Sequence, residues 1–351
     1  MIIYPKKNKA AILVKLNSPL VIDEVSMPKK LSKGQVLVKI FYSGICGSQL
    51  GEIIGTKGKD KYLPHLMGHE ATGEVIDVHT TVSKVKKGDG VLLHWMPSNG
   101  MASESPEYNW RGRKVNAGTI TTFNSYAIVS ENKVSKLKKN LSYKKELLLL
   151  GCTASTAIGA VNKLANVKKG QTVAISGCGS VGLNIIKTCQ IFGAKNIIAI
   201  DINEKKLKFA KKFGASCLIN STKVNFKKLI FNKFQNSVDH FFECTGNVKV
   251  ISDAYECLSN TGKEILIGVP KFKQKANFYT LDLHLGKQLI GCKGGNFKPQ
   301  EDLSKYLNFI KKKQYKIKKH ITHEVELKDI NDVFSDMKKN KVIGKCIVNF
   351  L

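Results

Sequence analysis

The chain has 351 residues and a mass of 38.8 kDa, with 42% hydrophobic and 24% charged residues. That is the mix of a soluble globular protein of two ordinary domains or one large one, and it excludes long disorder, a collagen-like repeat and a disulfide-stapled miniprotein. The net charge of +30 comes from 57 Lys and Arg against 27 Asp and Glu, yet only Arg111 and Arg113 are arginines. Nucleic-acid readers favour the planar guanidinium fork. The lysines are scattered along solvated faces, as at Lys205, Lys206, Lys208, Lys211 and Lys212. No nucleic-acid partner is therefore expected; the charge decorates solvated surface, with a lesser role in drawing in anionic cofactors or substrates.

The longest apolar stretch, residues 147–161, is interrupted by Gly, Thr and Ser and is too short for a membrane span of about 20 residues. The N-terminus, MIIYPKKNKA, lacks the apolar core of about 7–15 residues that a secretion signal needs. A cytoplasmic chain without membrane association is the expectation. The nine cysteines are odd in number and contain no CxxC, so disulfides are not expected, and most should be small buried hydrophobes.

In chain order, roughly the first 150 residues read as mostly β. Residues 9–15 (KAAILVK), 35–42 (QVLVKIFY), 74–78 (EVIDV) and 90–95 (GVLLHW) are strand-like, with glycine turns such as KKGDG between them. Residues 97–118 are polar, aromatic and poorly periodic, and read as a long loop or lobe. From about residue 153 strand-length runs alternate with lysine-rich amphipathic stretches. The runs are 171–176 (QTVAIS), 196–201 (NIIAID), 217–220 (CLIN), 238–243 (VDHFFE) and 263–269 (KEILIGV). This alternation predicts a parallel sheet with crossover helices. Beyond Gly294 come a helix-like stretch (EDLSKYLNFIKKK) and a terminal strand (CIVNF).

Gly177, Cys178, Gly179, Ser180, Val181 and Gly182 form G-x-G-x-x-G between the first of those strands and an apolar-periodic helix. The first glycine allows the tight turn, the second lets a pyrophosphate approach the backbone, and the third lets helix and strand pack closely. Asp201 ends the next strand, 19 residues after Gly182, which matches the acidic residue expected about 20 residues on to bond the adenosine ribose. A carboxylate there repels a 2′-phosphate, so NAD is favoured over NADP.

Three further segments stand out: Gly44-Ile45-Cys46-Gly47-Ser48, Gly68-His69-Glu70, and Gly151-Cys152-Thr153-Ala154-Ser155-Thr156. In these, ordered before Gly177, Gly179, Gly182 and Asp201, the chain resembles the zinc-containing medium-chain dehydrogenase/reductase family, the alcohol dehydrogenases. The resemblance covers nearly the whole length. It implies an α/β architecture: a GroES-like β-rich catalytic domain over residues 1–152, a doubly wound Rossmann NAD-binding domain over 153–293, and a return to the first domain over 294–351.

The resemblance assigns Cys46, His69 and Cys152 as ligands of a catalytic zinc, a donor set with a fourth position open for water or alcohol. It makes Glu70 the carboxylate that supports or transiently replaces a ligand, and Ser48 the hydroxyl that takes the proton of the alcohol. Thr156 is implied near the nicotinamide, Lys206 by the adenosine ribose, Lys345 near the pyrophosphate, and Val269 among the cofactor-binding residues. Trp95 and Phe123 match residues lining the substrate cleft, although either serves equally as core. The cleft is expected between the domains, at the C-terminal edge of the sheet.

Three positions depart from the family pattern. Gln49 replaces the usual Asp after the relay hydroxyl. Gly51 replaces the His with which some members extend the proton relay, so the relay here leaves by ribose hydroxyls or water. No cysteine lies between Trp95 and Thr122, where many members bind a four-cysteine structural zinc, so one zinc per chain is expected.

The implied reaction is zinc-assisted hydride transfer between an alcohol, or its aldehyde or ketone, and NAD(H). A polyol- or sugar-type reductase on the same fold is the nearest alternative, with Glu104, Glu107, Asn109 and Arg111 of the polar lobe facing a larger substrate. A binding protein that kept the fold without the chemistry is another, opposed by the presence of Cys46, Ser48, His69 and Cys152 together. Residues 276–282 (ANFYTLD) read as an extended edge, and pairing with a second copy is expected to give a homodimer or homotetramer.

Overall fold

The computed structural model describes residues 5, 8–235, 237–312 and 315–351. The N-terminal residues 1–4, 6 and 7, read above for a secretion signal, lie outside the described residues, as does Lys313 at the end of the expected late helix. No single helix among the described residues is long and apolar enough to cross a membrane. The chain divides into two compact units. One holds residues up to Cys152 with Lys298–Leu307 and Ile317–Leu351; the other holds Thr153–Phe297 and Asn308–Lys316.

The first unit is built on two sheets. Its larger sheet centres on Gln35–Gly44, whose ten residues pair antiparallel with Ala71–Val78, with Tyr126–Ser130 and with the C-terminal strand Lys345–Asn349. Val36, Val38 and Ile40 face a core completed by Ala71, Val75, Val91, Leu93, Ala127 and Val129, the alternation of a strand with a buried face. The five-stranded sheet contains a correction to the sequence reading. The stretch expected to be a long loop carries a hairpin, Glu107–Trp110 paired with Arg113–Asn116 across Arg111 and Gly112. Both turn residues have positive φ, which suits the twist of a two-residue hairpin. Tyr108 and Trp110 point inward while Glu107 and Asn109 point out, a period of two too short to be evident in the sequence.

In the second unit we number the strands β1 (Thr172–Ser176), β2 (Asn196–Asp201), β3 (Cys217–Asn220), β4 (Val238–Glu243), β5 (Leu258–Leu266) and β6 (Gln288–Gly291). All pair in parallel, in the order β3-β2-β1-β4-β5-β6. The order reverses between β1 and β4, which makes the crevice beyond their C-terminal ends the place for a ligand. Alternate residues feed two cores. Val173, Ile175, Ile197 and Ala199 pack with Leu183, Ile186 and Leu207 on one face, while Ala174, Ile198 and Phe241 pack with Ile230, Ala254 and Tyr255 on the other. Asn203, Asn225 and Asn247 each cap the helix that follows, their side chains accepting backbone N–H bonds.

Two expectations about this unit need correction. Residues 276–282 form no strand; Phe278 turns in against Tyr255 in an edge-to-face contact, and the sheet edge is β6 instead. Residues 294–297 and 308–316, read from the sequence as part of the return, belong to the second unit. Gly295 packs so closely on Gly159 that a Cβ at Gly159 would lie 2.0 Å from its carbonyl oxygen, and the Tyr315 hydroxyl donates to the Asn184 carbonyl at 3.0 Å.

Glu264 on β5 is fully buried, flanked in register by Phe241 and Leu289, and neither carboxylate oxygen has a hydrogen-bond partner. Burial, with the charge of Glu243, pushes its carboxyl up from 4.5 to about 9. A folded-state value above the unfolded one gives a contribution that is full below pH 4.5 and is lost as the pH rises toward 9. Replacing Glu264→Gln is therefore expected to stabilise the chain by about 5 kcal/mol at pH 8 and by about 1 kcal/mol or less at pH 5, as read by denaturant unfolding at both pH values; an equal effect at both would contradict a neutral buried carboxyl.

Candidate functional site

Cys46, His69 and Cys152 come together in the first unit, with one ligand atom of each within 4.8 Å of the others. Cys46 is the N-cap of the helix Gly47–Ile53, at the end of the central strand Gln35–Gly44. His69 lies in the loop before Ala71–Val78, where the Gly44 N–H donates to the Glu70 carbonyl at 3.0 Å and ties two of the three segments together. Gly68 makes that loop possible: its φ is +95°, and a Cβ there would lie 2.3 Å from Thr122 Oγ1. Cys152 ends the short helix Lys145–Gly151.

The site's electrostatics suit a cation. The thiol of Cys152 bonds to Cys46 and holds it well below the ordinary thiol range against the opposing effect of burial, aided by His69 and by the charge of Lys345. The same bond, with burial, pushes Cys152 up. Burial works against a charged His69, but the hydrogen bond and charge of Cys46 outweigh it and raise the imidazole. Two sulfurs and one imidazole fit zinc, and three protein ligands leave a fourth position for substrate. Ser48, on the first turn after Cys46, is exposed.

Two residues that the sequence singled out have contacts it did not reveal. Gln49 is wholly buried; its Oε1 accepts the Cys46 N–H at 2.7 Å and its Nε2 lies 2.7 Å from His69 Nδ1. Lys345, expected near a pyrophosphate, is fully buried and its ammonium bonds the equally buried Glu70. The C-terminal strand brings it there: Ile347 registers with Gly44, and the Cys346 carbonyl accepts the Ile45 N–H. The charges of Glu70, Cys46 and Cys152 raise Lys345 against the effect of burial. Among 55 lysines, no local signal distinguishes this one.

In the second unit the glycine-rich turn joins β1 to the helix Ser180–Ile191. A Cβ on Gly182 would lie 2.0 Å from the Gly177 carbonyl oxygen, so the fold itself demands glycine there. A Cβ on Gly179 would meet nothing within 4 Å, open space of the kind that the backbone's close approach to a ligand requires. Ser180 Oγ is buried without a hydrogen-bond partner, and Val181 follows it in the first helical turn, at the end of the helix that attracts anions. Asp201 is buried; its Oδ2 accepts the Cys178 N–H at 2.7 Å and its Oδ1 the Asn203 N–H at 2.9 Å. Glu243, at the end of β4, accepts from Thr245 N–H at 2.7 Å and Ser176 Oγ at 3.3 Å, pinning the loop across the switch point, and sequence reasoning gave it no role. Thr156 is buried in the helix Thr153–Gly159, Lys206 is half-buried, and Val269 is exposed beyond β5.

Comparison with known proteins agrees with both halves. The family model described as alcohol dehydrogenase GroES-like domain matches residues 32–139, and that described as zinc-binding dehydrogenase matches residues 180–312. The class-P alcohol dehydrogenase of Arabidopsis thaliana is 31% identical, over 97% of this chain and 96% of its own. The probable S-(hydroxymethyl)glutathione dehydrogenase 1 of Schizosaccharomyces pombe is 30% identical, with the same coverage of 97% and 96%. The chain belongs to the zinc-containing medium-chain alcohol dehydrogenase family. The crystal structure of an alcohol dehydrogenase zinc-binding domain protein from Burkholderia ambifaria superposes with a TM-score of 0.85 at 25% identity, covering 98% of each chain.

As a zinc-binding enzyme of the alcohol dehydrogenase family, the chain uses its other expected residues unevenly. Trp95 is partly exposed, its carbonyl accepting from Lys133 Nζ at 2.6 Å. Phe123 is core: it is buried among Ala11, Leu13 and Met67 and meets Phe334 edge-on. Three of the polar side chains of the 97–118 lobe have partners within the unit. Arg111 pairs with Asp23 at 2.7 Å, Glu107 with Lys114, and Asn109 Oδ1 accepts the Gly112 N–H at 3.0 Å.

Removing the cation of the buried pair by Lys345→Met is expected to cost about 3–5 kcal/mol in the metal-free protein, because the Glu70 carboxylate loses it. The double change Glu70→Leu with Lys345→Met should recover most of the loss in the same denaturant titration; no recovery would mean that the lysine acts through packing alone.

Proposed function

We propose that this oxidoreductase transfers hydride between a small alcohol, or the matching aldehyde or ketone, and NAD(H), with one zinc per chain. The observation that carries the proposal is the approach of Cys46, His69 and Cys152 within 4.8 Å, with Ser48 on the helix that Cys46 caps. Zinc held by these three would lower the pKa of an alcohol at the fourth position, and the nicotinamide would carry the hydride. The residues of the chain do the rest. Ser48 Oγ accepts the alcohol proton and, being exposed, passes it to ribose hydroxyls or water. Glu70, with Lys345, supplies a fixed charge pair behind the sulfurs, and Trp95 gives an apolar wall. The open face of Gly179, the orphan hydroxyl of Ser180 and the helix start receive the pyrophosphate, and Thr156, Lys206 and Val269 are cofactor contacts. The Asp201 carboxylate retains lone pairs for ribose hydroxyls and opposes a 2′-phosphate. The absence of cysteine between Trp95 and Thr122 supports a single metal.

Protein purified without chelators is expected to contain close to one zinc per chain by elemental analysis, and to turn over members of an alcohol and carbonyl panel with kcat/KM about tenfold or more higher for NAD than for NADP. Two zincs per chain would contradict the single site, and a preference for NADP the role of Asp201.

Assembly as a homodimer or homotetramer is part of the same reading. The edge strand β6 and the exposed Phe272, Tyr279 and Leu285 support it. Light scattering should give a mass of at least twice 38.8 kDa at micromolar concentration; a monomer mass would refute it.

A further inference from the structure

We propose that Gln49 holds His69 in the tautomer that opposes metal binding, so that this chain retains zinc less tightly than it would with a carboxylate at that position. The inference rests on the reading of Cys46, His69 and Cys152 as zinc ligands, and adds to it a positioning residue with an adverse effect.

Two of the groups around the Gln49 amide can only donate. The Cys46 backbone N–H has no lone pair, so the side-chain atom 2.7 Å from it must be an acceptor. That atom is Oε1 of Gln49, and the amide orientation is thereby set. The other end of the amide, Nε2, then faces His69 Nδ1 at 2.7 Å. An amide NH₂ also only donates, so Nδ1 must accept and carries no proton. A neutral imidazole has one proton, which therefore sits on Nε2, the nitrogen left to face the sulfurs. Metal ligation needs the lone pair of that nitrogen, which means moving the proton to Nδ1. There it would point at the NH₂ of Gln49, donor against donor.

Reversing the amide gives no escape, since it sets the NH₂ against the Cys46 N–H. Gln49 is wholly buried, so water is not at hand to relieve either contact. The chain also holds the glutamine firmly: it is the third residue of the helix that Cys46 caps, and its side chain completes a capping box with the Cys46 backbone. A carboxylate in the same place would accept from the Cys46 N–H with one oxygen and from Nδ1–H with the other. Partners of this kind around a ligating histidine change metal affinity by about 10–100-fold.

The test uses the full chain, metal-free and zinc-loaded, with the isosteric variant Gln49→Glu. Long-range ¹H–¹⁵N correlation spectra of the metal-free protein, with His69 assigned among the eight histidines through a His69→Asn variant, should show Nε2–H in the unaltered chain and Nδ1–H in the variant. Zinc affinity by competition with a chromogenic chelator should rise about 10–100-fold in the variant. An Nδ1–H proton on neutral His69 in the unaltered metal-free chain, or equal or weaker zinc binding by a folded variant, overturns the proposal. If neither protein binds zinc, it is the assignment of the three ligands that fails, and the spectra still decide the tautomer. Should the variant not fold, Nε2–H on neutral His69 of the unaltered chain supports the proposal and Nδ1–H overturns it.

Discussion

The first unit is organised around a charge pair that has no access to water. Glu70 and Lys345 are both fully buried and bonded to each other, and neither is tolerable there without the other. Satisfying them requires the C-terminal strand Lys345–Asn349 to lie beside Gln35–Gly44, in the register that sets Ile347 opposite Gly44. That register carries the Cys346 carbonyl to the Ile45 N–H and so fixes the backbone next to Cys46. The Gly44 N–H reaches the Glu70 carbonyl and fixes the backbone next to His69. The pair thus holds two of the three segments that carry Cys46, His69 and Cys152 through the strands that bring it together.

The second unit applies a similar economy to its turn. The oxygens of Asp201, at the end of β2, hold the Cys178 and Asn203 N–H groups. The carboxylate thereby shapes the glycine-rich turn. The glycines of that turn differ. Gly182 is required by the contact with the Gly177 carbonyl, while the fold leaves Gly179 free space.

Much of this was legible from local pattern. The G-x-G-x-x-G spacing, Asp201 at the end of its strand, and the order of Cys46, His69 and Cys152 are statements about short segments, and the strands that carry them bury alternate or continuous apolar faces that sequence displays directly. The hairpin at Glu107–Trp110 was obscured because four residues contain too few periods to declare an alternation, and its turn is Arg-Gly rather than Asn-Gly. Phe278 made residues 276–282 look like a strand, but it packs inward from irregular chain onto Tyr255.

The sequence by itself determined the fold class and the glycine-rich turn, because each rests on residue type and on spacings of a few residues; Cys46, His69 and Cys152 were singled out only by the resemblance to the family, since 23 and 83 positions separate them. Only the tertiary structure decided what Lys345, Phe123, Gln49 and Glu264 do. Lys345 meets Glu70 across 275 positions of chain, Phe123 meets Phe334, and Glu264 loses its water to residues on neighbouring strands. A buried charge, a core aromatic and a hydrogen-bonding amide take their character from what surrounds them in space, and that surrounding is assembled from parts of the chain that are not sequence neighbours.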